Sequence, residues 1–256
     1  METEKTLAET VRVKRAQEAA RLKREGEPTQ IGTTISPSIL SRFSTPTAED
    51  EARWKKNEEE RAAIKASQER YAFEERVRKG NLPARHKEMR LADGSGVQAT
   101  TVARIVGAMG SGAIFALVGE RSTGKTQVAI WAAGKFALAG KYILYTKAML
   151  IFLAIRAAYR KDGPSEEEAM MKFVNPGLLI IDEAHVRGDT PFEDRILTTI
   201  IDLRYDAMRE TILIANRKAG ELADALGTSV TERIQENGGW IECTSARGWK
   251  NWRSEK

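Results

Sequence analysis

The sequence predicts an α/β protein, a parallel sheet covered by helices, with an α-helical N-terminal arm ahead of it. Five short apolar runs carry the sheet: "AIFALV" (113–118), "YILYT" (142–146), "LLIID" (178–182), "TILIA" (211–215) and "WIECT" (240–244), separated by longer stretches of helical character. Short runs without polar alternation suit strands buried on both faces, and their alternation with helices suits a parallel sheet. The first 80 residues have a different texture. They are rich in charged helix formers and poor in large apolar side chains, so they read as helices with little core of their own.

Within this arm, residues 3–25 predict an exposed helix that Gly26 and Pro28 stop, and 26–46 a turn-rich linker. A second helix is expected from Thr47, which has Asp50 three positions on, to Gly80. Such helices are either solvated or dock on a partner protein, and the pattern leaves both readings open. The domain division is therefore an arm over 1–80 and a second domain over 81–256.

Composition narrows the class. The 256 residues suit one well-buried domain plus an appendage, and 41 Lys and Arg against 36 Asp and Glu give a net charge of +5, which weakly favours a polyanionic partner. Cys243 is the single cysteine, so a disulfide framework and a multi-cysteine zinc site are excluded; His86 and His185 are too separated to suggest a metal site. The longest apolar run, "AMLIFLAI" (148–155), is far short of the ~20 residues that span a bilayer. With "METEKTLAET" lacking the apolar stretch of a secretion signal, a cytoplasmic protein with no membrane partner is expected.

Two motifs then specify chemistry. "GERSTGKT" fits the phosphate-binding pattern, directly after a predicted strand and at the start of a helix. The loop of Gly119, Glu120, Arg121, Ser122, Thr123 and Gly124 offers backbone N–H groups to phosphates, Lys125 reaches the β- and γ-phosphates, and the Thr126 hydroxyl binds Mg²⁺. ATP and Mg²⁺ are the expected ligands. The strand "LLIID" ends in Asp182 and Glu183; Asp182 is read as part of the Mg²⁺ shell and Glu183 as the group that orients and deprotonates the attacking water. "DEAH" (182–185) also spells the signature of a helicase class, yet the 71 positions after it have no room for a second nucleotide-fold lobe, so a helicase motor is not expected.

Two further sites are less specific. Asn216 follows the strand "TILIA"; alone it is a turn former, but after the two motifs it resembles the polar residue that ATPases of the AAA+ type place beside the γ-phosphate and the water. Arg156, Tyr159, Arg160 and Lys161 gather near a helix end. Cations beside an aromatic can hold a single nucleic-acid strand, and a solvated helix end with a core tyrosine has the same composition.

With these motifs placed, residues 80–253 resemble the AAA+ ATPases of the DnaC/DnaI helicase-loader and IstB group. The likeness rests on "GNLPARHKEMRLADG" (80–94), "IDLRYDAMRETILIAN" (201–216), "LGTSVTERI" (226–234) and "IECTSAR" (241–247), in that order. The resemblance implies a P-loop core of the AAA+/ASCE type over 81–256, ATPase activity stimulated by DNA or a partner, and self-association through these domains. It makes Arg233 an arginine finger directed at a neighbouring subunit's nucleotide, and Arg247 a second sensor, although Ala246 stands where the family has tyrosine. It also implies DNA contacts at Arg156, Tyr159 and Arg160, with Thr190 and Phe192 as further strand contacts. The function so implied is an ATP-dependent loader of a hexameric replicative helicase onto single-stranded DNA, with the N-terminal helices gripping the helicase. The alternatives are an IstB-like ATPase assisting a transposase on duplex DNA and a non-hydrolysing scaffold.

Overall fold

The computed structural model describes residues 48–87, 96–160, 163–186, 188 and 190–249. The expected helix over 3–25, the linker over 26–46, Thr47 and Lys161 lie outside them. The chain divides into two compact units, 1–61 and 62–256. In the first, residues 48–61 are helical and solvent-facing, with Trp54 half exposed.

The helix that begins there, α1 (Ala48–Lys79), matches the predicted second arm helix. Acidic residues fill its first turn and basic residues its last, the arrangement that the helix dipole favours. Ion pairs three and four residues apart, such as Arg70 with Glu74, line its exposed surface. Hydrogen bonds from Arg78 and Lys79 hold the Glu75 carboxyl down to about 2. Only the last two turns gain apolar support, where Phe73 and Val77 pack on the core and Arg76 donates 3.0 Å to the Ala137 carbonyl.

The second unit is a three-layer α/β/α structure. After α2 (Ala84–Lys87) and α3 (Gly96–Gly107) come β1 (Ile114–Val118), α4 (Lys125–Leu138), β2 (Ile143–Lys147), α5 (Ala148–Ala158), α6 (Glu166–Val174), β3 (Leu178–Asp182), α7 (Pro191–Asp206), β4 (Glu210–Ala215), α8 (Ala219–Leu226), α9 (Thr228–Glu236) and β5 (Gly238–Glu242). The strands pair in parallel in the order β2-β3-β4-β1-β5. Alternate side chains serve opposite faces. Ile114, Ala116 and Val118 join α5 to α9 on one side, and Phe115 and Leu117 join α3 and α4 on the other.

Two boundaries differ from the sequence reading. The helix read as ending among Arg156, Tyr159, Arg160 and Lys161 stops at Ala158, so that Tyr159 caps α5 and Arg160 lies beyond it; Gly163 and Pro164 follow, and Ser165 starts α6 through a reciprocal capping box with Glu168. The last strand begins at Gly238, two residues before the apolar run. Gly238 lies so close to β1 that a Cβ there would sit 2.1 Å from the Ile114 carbonyl oxygen, and its φ is +131°. A strand start without side chains carries no hydrophobic signal.

One buried group fastens the end of the sheet where β3 and β4 begin. Arg204 on α7 is fully buried and donates to the carbonyls of Phe173, Val174, Pro176 and Glu210 and to the Thr211 hydroxyl. Burial pulls its guanidinium down to about 9, and the neighbouring Arg209 adds to that. Five acceptors around one cation are what makes its burial tolerable.

Candidate nucleotide site

All of the predicted nucleotide residues except Arg233 lie at the opposite end of the sheet, where the parallel strands finish. Because β4 separates β1 from β3, the loop after β1 and the carboxylates after β3 flank a third strand end, and Asn216 follows that strand. Val118 is in register with Ala215, and Ile181 with Leu213. Asn216 is therefore exposed between the two motifs. The ladder continues past β3 through the Ala184 N–H, which donates 2.9 Å to the Ile214 carbonyl.

The loop from Gly119 to Gly124 turns sharply before α4. Gly119 has φ +123°, and a Cβ would lie 2.7 Å from the Cys243 carbonyl oxygen; Gly124 has φ +88° where it caps α4. Ser122 also takes a positive φ, +67°. Lys125 curls back into this loop, donating to the carbonyls of Gly119 at 3.1 Å and of Glu120, and lying 3.4 Å from the Thr123 hydroxyl. Burial lowers its pKa. Arg121 stays exposed, and the Glu120 carboxylate approaches the Ser245 hydroxyl at 3.5 Å.

Asp182 is the most heavily engaged group. Its Oδ2 accepts from the Thr126 hydroxyl at 3.1 Å and from the Tyr145 phenol at 2.6 Å, and its Oδ1 accepts from the Glu183 backbone N–H at 2.8 Å. Glu183 adopts φ +54°, a costly conformation for a residue with a side chain, and its Oε2 lies 3.0 Å from Lys147 Nζ. Tyr145 and Lys147, both on β2, were not singled out by sequence reasoning. The signal available was the register of two parallel strands, which needs the strand order.

The hydroxyl of Thr126 and the carboxylate of Asp182 are adjacent hard oxygen donors, and this pair fits Mg²⁺, which keeps waters and takes few protein ligands. Among the described residues no group of three or more His, Cys, Asp or Glu could hold a metal. His185 lies just past the carboxylates, with Nδ1 buried and without a hydrogen-bond partner; burial lowers its pKa.

The two predicted arginines are held by their own chain. Arg233 on α9 pairs with Asp202 of α7, donates 2.6 Å to Ser229 Oγ and stacks 5.3 Å from the Tyr205 ring centroid. Arg247, in the short 3₁₀ turn Ser245–Arg247, is exposed and lies 2.7 Å from Glu242.

The proposed DNA contacts converge in part. The Arg156 guanidinium lies 5.2 Å from the Phe192 ring centroid, and Tyr159 stands 6.4 Å from it, tilted. Thr190 caps α7, accepting from the Glu193 N–H, and Arg160 is exposed beyond α5. Arg195 joins the group 5.8 Å from the same ring. Sequence reasoning did not anticipate Arg195 or the acids that hold these cations: Glu193, buried, pairs with Arg156 at 3.1 Å, and Glu166 pairs with Arg195 at 3.2 Å and accepts from the Tyr159 phenol at 2.5 Å.

The model of the IstB-like ATP binding protein family matches residues 61–234. The chain belongs to the IstB-like ATP-binding family. This IstB-like chain is 30% identical over 146 residues to the replicative helicase loader DnaC of Escherichia coli, covering 57% of itself and 58% of that protein. It thus spans little more than half the length of that relative. A crystal structure of the DnaC helicase loader is similar with a TM-score of 0.55 at 17% identity, over 63% of the IstB-like chain and all of the other. The AMPPCP-bound DnaA from Aquifex aeolicus gives 0.52 at 18%, over 64% and 51%. The shared fold is the AAA+ P-loop ATPase core.

Proposed function

We propose that this chain is an ATP hydrolase that loads a replicative helicase onto single-stranded DNA. One observation supports the reading most: the loop of Lys125, the Asp182–Glu183 pair and Asn216 meet at one sheet end, in a family member that is 30% identical to a helicase loader.

In this reading the backbone N–H groups of residues 119–124 and the N-terminus of α4 receive the triphosphate. Lys125 exchanges the loop carbonyls it now holds for phosphate oxygens, which lowers the electrostatic cost of the bound charge. Thr126 and Asp182 hold Mg²⁺, which supplies neutralisation of charge on the β- and γ-phosphates. Glu183 orients the attacking water and takes its proton once it is free of Lys147, and Asn216 fixes the water and the terminal phosphate. Arg233 completes the site of a neighbouring copy, so that turnover requires assembly. The Arg156, Tyr159 and Phe192 cluster, with Arg160 and Thr190 beside it, grips the strand by stacking and charge. The helical arm holds the helicase.

The test is ATP turnover of the full chain with and without single-stranded DNA, beside size measurement of its mixture with the host helicase. Stimulated turnover and a joint complex are expected; absence of both defeats the proposal. The match to the IstB-like model favours one second reading, an ATPase serving a transposase on duplex DNA. Stimulation by duplex but not by single strands would select it.

A further inference from the structure

We infer that Tyr145 is a positioning residue for the metal-holding carboxylate, its phenol fixing the orientation in which Asp182 meets Thr126. The inference rests on the proposed ATP site and adds to it a residue that no phosphate-loop or strand-end motif contains.

The hydrogen-bond arrangement is asymmetric. Asp182 Oδ1 is occupied by the backbone N–H of Glu183, while Oδ2 takes both hydroxyls, from Tyr145 at 2.6 Å and from Thr126 at 3.1 Å. A carboxylate torsion is broad and nearly two-fold, and of the three donors on Asp182 the phenol makes the shortest contact, on the oxygen that also faces Thr126. The phenol narrows that freedom and keeps Oδ2 facing the Thr126 hydroxyl. Tyr145 is buried, with its ring in the core face that also contains Ile143, Leu178 and Ile180. The position of its ring is thus set by packing.

The backbone of Tyr145 is also fixed from outside the sheet. Its N–H donates 2.8 Å to the Gly80 carbonyl, and its own carbonyl accepts from Asn81 Nδ2 at 3.3 Å. A Cβ on Gly80 would lie 2.7 Å from Ile143 Cγ1, so the close approach needs glycine there. The segment that ends α1 therefore pins the strand residue whose side chain holds Asp182.

The experiment is a Mg²⁺ titration of fluorescent ATP-analogue binding by the full chain, for wild type, Tyr145→Phe, Asp182→Asn and the double variant. For Tyr145→Phe, binding in EDTA should match wild type, while the Mg²⁺ concentration at half-effect rises roughly tenfold, the scale of one hydrogen bond to a charged group. In the Asp182→Asn background the phenol should make no further difference, an outcome that a purely structural role does not produce. A Tyr145→Phe curve that overlays wild type overturns the inference but leaves the ATP site standing, and so does an undiminished effect in the double variant. A wild-type chain that binds no nucleotide overturns both.

Discussion

The Asp202 carboxylate and the Arg233 guanidinium pair within one chain, between α7 and α9. Arg233 also stacks on Tyr205 and reaches Ser229, so one edge of the guanidinium is committed in cis. Arg233→Ala is expected to cut assembled ATP turnover by about 10³-fold while leaving nucleotide binding intact. Asp202→Asn should raise turnover severalfold by releasing the cation, at a cost of about 1 kcal/mol because the pair is partly exposed. Steady-state rates across a protein-concentration series, with thermal melts, check both.

Glu183 and Lys147 form a second pair of this kind, 3.0 Å apart and accessible to solvent. In the proposed mechanism the ammonium occupies a carboxylate oxygen that the attacking water would need. Lys147→Met should increase ATP turnover without DNA by a fewfold, and Glu183→Gln should reduce it by about 10²-fold or more with binding retained. Equal unstimulated rates for Lys147→Met and wild type would remove the regulatory reading of the pair.

The cluster around Phe192 predicts how binding to single strands responds to sequence and salt. Phe192→Ala should weaken oligonucleotide binding by about 1–3 kcal/mol with little change in salt slope, since it removes stacking. Arg195→Ala should instead flatten the salt dependence. Fluorescence anisotropy with a single-stranded oligonucleotide at several salt concentrations separates the two.

His185 gives a pH dependence. Its folded pKa lies below the usual 6.5 because burial disfavours the charged ring. The unfolded chain therefore binds the proton first, and stability falls as pH drops from about 6.5 through the folded value. His185→Gln should flatten that acid-side slope in denaturant midpoints measured between pH 7 and pH 5.

Much of this was legible in the sequence where chemistry and local pattern coincide. The first four apolar runs mark β1 to β4 within one residue, and the spacing of Gly119, Gly124 and Lys125 before a helix specifies a strand-loop-helix turn. The order of the strands was not legible. Parallel strands joined by helices can be arranged in several ways with the same apolar pattern, and the neighbours Tyr145–Asp182 and Lys147–Glu183 depend on which strands are adjacent. The Arg233–Asp202 pair was likewise hidden, because it joins residues 31 positions apart on different helices. Arg204 entered the sequence reading only as part of "IDLRYDAMRETILIAN"; the carbonyls left over at the ends of α6 and the starts of β3 and β4 explain its burial.

That arginine divides the molecule mechanically. Where β3 and β4 start, Arg204 ties three segments into a clamp whose removal would orphan several carbonyls at once. Where β1, β3 and β4 finish, the chain leaves the sheet in turns around Gly119, Glu183 and Asn216. A lever held at its base moves at its tip: amide exchange should be slowest around Thr211 and fastest in those turns, where the proposed nucleotide would bind.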